Sequence, residues 1–149
     1  MQVKVNSTGG KGIKDLFKRL EKGTVDVGIL MGEGQHEDSD LSVAEVGFYH
    51  EFGTVTTPER SFIRSTINGQ SKDIRKVAKA QYKKVLDGSI TTEQGLGVLG
   101  AFTAGLIQET FTSNDWAPNS ERTIKEKGSS TPLIDTGQLR QSISYKVNT

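Results

Sequence analysis

The sequence predicts an α+β fold, a single domain in which several helices pack against a small, largely antiparallel sheet. Three observations lead there. Short runs of alternating apolar residues occur at three places, longer runs repeat at helical spacing, and the two kinds do not follow the regular βαβ order of a parallel sheet. A chain of 149 residues fits one domain built around one core.

Val3 and Val5 read as a short first strand, followed by the glycine turn of Gly9, Gly10 and Gly12. Ile13, Leu16, Phe17 and Leu20 recur on one helical face, and Gly23 is placed to end that helix. Val25, Val27, Ile29 and Met31 alternate as a second strand. Gly28 and Leu30 keep its other face from being polar, which suits an interior position in the sheet. Ser42 and Glu45 have the spacing of a capping box, with Leu41 and Val46 as its hydrophobic staple, so a helix starts here and stops at Gly53.

Pro58 precedes Phe62, Ile63 and Ile67, and Asn68-Gly69 marks a break or distortion before a long amphipathic helix built on Ile74, Val77, Ala78, Tyr82, Val85 and Leu86. Thr91 and Gln94 make a second capping box. From Leu96 to Ile107 the helix behind it is apolar or small nearly all round, as expected of a buried helix. Ser120 is placed to cap a short helix, Thr136 to cap one more turn, and Ile143, Tyr145 and Val147 alternate as the last strand.

Composition narrows the chemistry. The chain has no Cys, which excludes thiolate nucleophiles, thiolate metal ligands and disulfides, and only 2 His. At 33% hydrophobic residues the core is lean, which suits a subunit supported by neighbours. No targeting segment is visible at the start. The longest uncharged stretch, Gln94 to Gln108, reaches only ~20 Å as a helix against a ~30 Å hydrocarbon layer, so no membrane span is expected.

The net charge of +1 hides a segregation along the chain. Residues 1–57 carry 6 Lys/Arg and 9 Asp/Glu, residues 58–87 carry 8 and 3, and residues 88–149 carry 5 and 6. Glu33, Glu37, Asp38 and Asp40 make residues 32–40 an acidic loop without the twelve-residue frame of an EF-hand, so solvation is the simpler reading than a metal site. Lys72, Lys76, Lys79 and Lys83 form a stripe on the long helix. Such a stripe suits a solvated or intersubunit face, and it also leaves open a nucleic-acid-binding module following a phosphate backbone, although no aromatics are interleaved for base stacking.

Two motifs with catalytic overtones do not hold up. Gly95, Gly97 and Gly100 match G-x-G-x-x-G, but the helix cap precedes them, whereas nucleotide binding needs a strand before and a helix start within. The better reading is that Gly97, Gly100, Ala101, Ala104 and Gly105 leave room for another helix to approach closely. His50-Glu51 lacks the second His of a zincin, and a hydrolase or nuclease would need further groups that are not placed. No catalytic residue, metal ligand or cofactor is expected.

Three strings together resemble a family. Glu51-Phe52-Gly53-Thr54, then Pro58-Glu59-Arg60-Ser61-Phe62-Ile63-Arg64, is similar to the "EFGT … P-x-R-x-F-[LI]-R" signature of small neck proteins of tailed bacteriophages, known as tail-completion, head-tail joining or virion-morphogenesis proteins. Trp116-Ala117-Pro118 with Ser120 and Thr123, then Leu133 to Ile143 with Thr136, Gly137, Leu139, Arg140 and Ser142, resembles the carboxy-terminal part of the same group. The strings lie in order and the resemblance spans about residues 25–147, with one departure, Ser61, where the family commonly has Pro.

The resemblance implies a non-catalytic α+β subunit that forms a homo-oligomeric, usually hexameric ring in the virion neck, assembled in the host cytoplasm. Implied partners are the connector or head-completion proteins on one side and tail-tube or tail-terminator proteins on the other, with DNA passing through the ring without sequence-specific binding. The motif residues also have local roles: Gly53 and Gly137 permit turns, Pro58 fixes a direction, Phe62 and Trp116 anchor, and Arg60 and Arg64 bind carbonyls or carboxylates.

Overall fold

The computed structural model describes residues 14–15, 17–18, 23–30, 34, 40–112, 116–121, 124–125 and 137–149. Among them the chain forms an α+β fold, with β1 (Thr24–Ile29), α1 (Val43–Phe52), α2 (Phe62–Gly69), α3 (Ser71–Leu86), α4 (Thr92–Thr110), α5 (Gln138–Gln141) and β2 (Ile143–Asn148) in chain order. The first and last elements pair antiparallel, from Thr24 opposite Asn148 to Ile29 opposite Ile143. The sheet therefore ties residues about 120 positions apart in sequence, and α4 lies across it.

Glycine sets that contact. A Cβ on Gly100 would stand 2.5 Å from the ring Cδ2 of Tyr145 on β2 and 2.7 Å from Val25 Cγ2 on β1, so α4 reaches the sheet only because none is there. Gly95 plays the same part toward α3, where its Cβ would meet Val85 Cγ2 at 3.1 Å. The core gathers Val43, Phe62, Ala104, Ile107, Phe111, Leu139 and Ile143, with Val27, Ile29, Ile63 and Trp116 at its margin. Phe62 and Phe111 meet at its centre with ring centroids 4.8 Å apart.

Both capping boxes form. The Ser42 hydroxyl accepts the Glu45 N–H while Glu45 accepts the Ser42 N–H, and Thr91 and Gln94 do the same for α4. The break at Asn68-Gly69 is a joint: Gln70 ends α2 by donating to the Thr66 carbonyl and starts α3 by accepting from Ile74.

Two expectations change. Among the described residues the sheet has two strands and β1 pairs with β2 alone, so the interior position expected of β1 is not seen; Gly28, the small residue on its second face, is covered by Ile63 of α2 instead. The helix α4 is not buried all round, since Val98 and Ala101 face outward and a Cβ on Gly97 or Gly105 would meet nothing. The strand expected at Val3 and Val5 lies outside the described residues. Of the helix expected from Ile13, Lys14, Asp15, Phe17 and Lys18 are described and helical.

Candidate functional site

The capping box fixes where α1 begins, and Gly53 ends it with φ 73°, a left-handed conformation that suits glycine. The chain then returns closely upon itself, because a Cβ on Gly53 would lie 2.9 Å from the Glu59 amide nitrogen. Thr54 organises the loop by accepting the N–H groups of Thr56 and Thr57, and the exposed Pro58 leads into Arg60, whose N–H donates to the His50 carbonyl at 2.7 Å. This turn carries residues 59–64 back beside α1.

That return makes α1 an inverted helix. Glu51 points inward and is only 5% exposed, whereas Phe48 and Phe52 point out at 58% and 50%. The carboxylate of Glu51 is held at the start of α2: Oε2 accepts the Ile63 N–H at 2.9 Å, and Oε1 accepts the Arg64 N–H at 2.9 Å and Arg64 Nε at 3.0 Å. A negative charge here satisfies donors that have no partner inside the helix and complements its positive end. Arg64 Nη2 donates in addition to the Glu51 carbonyl and to Glu59 Oε1, and its guanidinium lies 4.6 Å from the centre of the Phe52 ring.

Arg60 forms the second half of the clamp. It is 4% exposed. Its Nε donates to the Ala117 carbonyl at 2.9 Å, and its Nη2 to the Pro118 carbonyl at 3.3 Å and Asn119 Oδ1 at 3.0 Å. Burial pulls this guanidinium below its ordinary value. Nη1 lies 3.4 Å from His50 Nδ1, which accepts from it in the tautomer that carries the ring proton on Nε2. Trp116 Nε1 donates to the Thr110 carbonyl at the end of α4, so the Trp-Ala-Pro string is tied at both ends.

The carboxy-terminal string supplies a separate support. Gly137 takes φ 79° before α5, Leu139 is buried in the core, and the buried Ser142 hydroxyl donates to the Leu139 carbonyl at 2.8 Å. Thr136 and Thr123 lie outside the described residues.

Thus Glu51, Arg60, Arg64 and the Pro118 carbonyl meet around the α1–α2 return, while Leu139 lies in the core with Trp116 at its margin. Lys72, Lys76, Lys79 and Lys83 all lie on the exposed face of α3. Among the described residues the ion pairs are those of Arg64 with Glu51 and Glu59, so none engages these lysines. Asp40 is exposed ahead of α1; Glu33, Glu37 and Asp38 lie outside the described residues. No group of three His, Asp or Glu among the described residues is placed to hold a metal ion, and no described helix is long and apolar enough to cross a membrane.

Sequence reasoning missed the outward aromatics of α1. Their signal was present, since Phe48 and Phe52 stand four apart, but Val43 and Gly47 claim the opposite side and simple periodicity does not choose between them. It also missed Asn119 as a partner of Arg60. No family model, curated protein or solved structure matches the chain.

Proposed function

We propose that the chain is a structural subunit of a tailed-bacteriophage virion, forming a homo-oligomeric ring, with six copies, at the head-tail junction and catalysing no reaction. The observation that carries this reading is the use of the motif residues. Glu51 and His50, which a hydrolase would need free, are engaged in holding α1, α2 and residues 117–119 together, while the same return turns aromatic side chains outward. Buried polar groups fully engaged in a network fix a shape, and exposed aromatics suit a surface that meets other protein.

In that setting the neighbours are further copies, a connector or head-completion protein, and a tail-tube or tail-terminator protein, with DNA passing through the lumen. The test is complementation of a phage lacking this chain, with negative-stain imaging of the particles. Tails and heads joined through a ring containing the chain support the reading. Wild-type joining without the chain, or metal-dependent turnover by the purified protein that is lost in an H50A/E51A variant, overturns it.

The four exposed lysines favour a second reading, a nucleic-acid-binding module that uses the α3 face on phosphates. Steeply salt-dependent binding of duplex DNA by the isolated chain, abolished by reversing those lysines, would favour it over assembly.

A further inference from the structure

Two exposed helix faces of this chain match one another. On α1, Glu45, Phe48 and Phe52 fall within one side of the helix and all face solvent. On α3, Lys79, Tyr82 and Leu86 do the same, with Tyr82 43% and Leu86 41% exposed. Each face runs from a charge to a ring three residues on and a large apolar side chain seven residues on, over ~10.5 Å of helix. The charges are opposite and stand at the same end of each face.

We propose that α1 of one copy docks in parallel on α3 of a second copy, with Glu45 against Lys79, Phe48 against Tyr82 and Phe52 against Leu86. Placed antiparallel, the helices would set the two charges against apolar side chains, so charge complementarity selects the direction as well as the partner. The aromatic half is already ordered before contact. Phe48 and Phe52 stack with centroids 4.7 Å apart, and the Arg64 guanidinium, fixed by Glu51, covers a face of Phe52. Little side-chain freedom remains to be lost on docking.

The two faces lie on different elements, so each copy offers one to either neighbour, a head-to-tail arrangement that closes into a ring when the rotation allows. The inference names the contact for the assembly role proposed above and rests on that reading for its partner being a second copy. Two turns of helix against two turns cover less than the ~1,200 Å² of a standard interface, so the contact is weak alone and is best trapped covalently.

The absence of cysteine provides the experiment. Full-length chains carrying F52C and L86C separately are mixed and oxidised, and F48C is mixed with Y82C. An off-register control mixes F52C with K72C. In-register mixtures are expected to give at least five times more disulfide-linked dimer than the control, with the yield falling as salt rises. Equal yields in all mixtures, dominant pairing of F52C with itself, or no dimer overturns the contact. Native mass spectrometry and phage complementation separate the two claims. Oligomers or restored particles without in-register cross-links overturn this interface and leave the assembly reading standing; in-register cross-links with no role in particles do the reverse.

Discussion

Arg64 grips Glu51 at both ends, its Nε on the buried carboxylate at 3.0 Å and its Nη2 on the backbone carbonyl at 2.8 Å. The two residues share these bonds but not the same surroundings, since the side chain of Glu51 is 6% exposed and that of Arg64 is 48%. Losing the acid therefore leaves the first N–H donors of α2 without their acceptor, whereas losing the base leaves a carboxylate that still caps α2.

Glu51→Ala is accordingly expected to cost about 2 kcal/mol, because the part-buried bonds that cap the Ile63 and Arg64 N–H groups are lost together with the ion pair. Arg64→Ala is expected to cost about 1 kcal/mol, the scale of a half-exposed ion pair screened by solvent. Urea denaturation followed by circular dichroism measures both. Equal shifts in midpoint would show that the ion pair, not the helix cap, is what Glu51 contributes.

A similar argument fixes Arg60. Arg60→Lys keeps the charge but replaces a planar fork that reaches two carbonyls and an amide oxygen by a single ammonium. The expected loss is about 2 kcal/mol, together with faster amide hydrogen exchange at Trp116, Ala117 and Asn119. Unchanged exchange there would mean that Trp116 alone secures the segment.

How far the sequence foretold this arrangement depends on distance along the chain. The two capping boxes were legible because their chemistry closes within four residues, and Asn68-Gly69 marked the break to within two residues of the joint at Gln70. The grip of Arg60 on Ala117 spans 57 residues, and nothing local at either end selects the other. The motif strings marked these residues by resemblance, but only packing reveals that Glu51 is the inside of α1 and Phe52 the outside. The glycines of α4 also looked alike in sequence; the fold divides them.

That division is testable. Gly100→Ala is expected to destabilise the chain by about 2 kcal/mol, because the methyl group would collide with the Tyr145 ring and Val25. Gly97→Ala and Gly105→Ala place a methyl group in open space on a helix and are expected to stabilise by about 0.5–1 kcal/mol each. Thermal melts of the three variants at a concentration too low for assembly check the signs. A loss of stability at Gly97 or Gly105 in the monomer would contradict the open face.

Acid should weaken the fold through carboxylates at turns. Bonds from the Ser42 backbone and hydroxyl hold Glu45 below its ordinary value of 4.5, and bonds from Ser89 hold Asp87 below 3.8. A group whose value is lowered by folding contributes fully above its unfolded value, and the contribution is lost as pH falls through the folded one. Stability should thus be level near neutrality and decline on acidification from about pH 5 downward. Glu45→Gln keeps a side chain able to complete the capping box but cannot titrate, so its Tm should fall less steeply with acid. Parallel Tm curves for the two proteins would assign the acid sensitivity elsewhere.

The last prediction concerns the stripe of Lys72, Lys76, Lys79 and Lys83. None of the four is engaged by an ion pair among the described residues, and all lie on the exposed face of α3. Reversing all four to Glu removes no core contact. Opposite effects on the helix dipole, favourable at Lys72 near the start and unfavourable at Lys83 near the end, largely cancel, so the monomer should keep its Tm within a few degrees. If copies dock as proposed above, assembly should suffer, because a face offered to an acidic group now repels it, and the wild-type association should itself weaken as salt shortens the range of exposed charges from ~8 Å toward ~3 Å. Phage complementation with the folded variant gives the readout: loss of infectious yield is expected, with a partial return when Lys79 alone is restored. Wild-type yield from the fourfold variant would make the stripe a solvated surface. If yield falls while DNA affinity falls in step and self-association does not, the lysines act on phosphate, and the nucleic-acid reading displaces docking between copies.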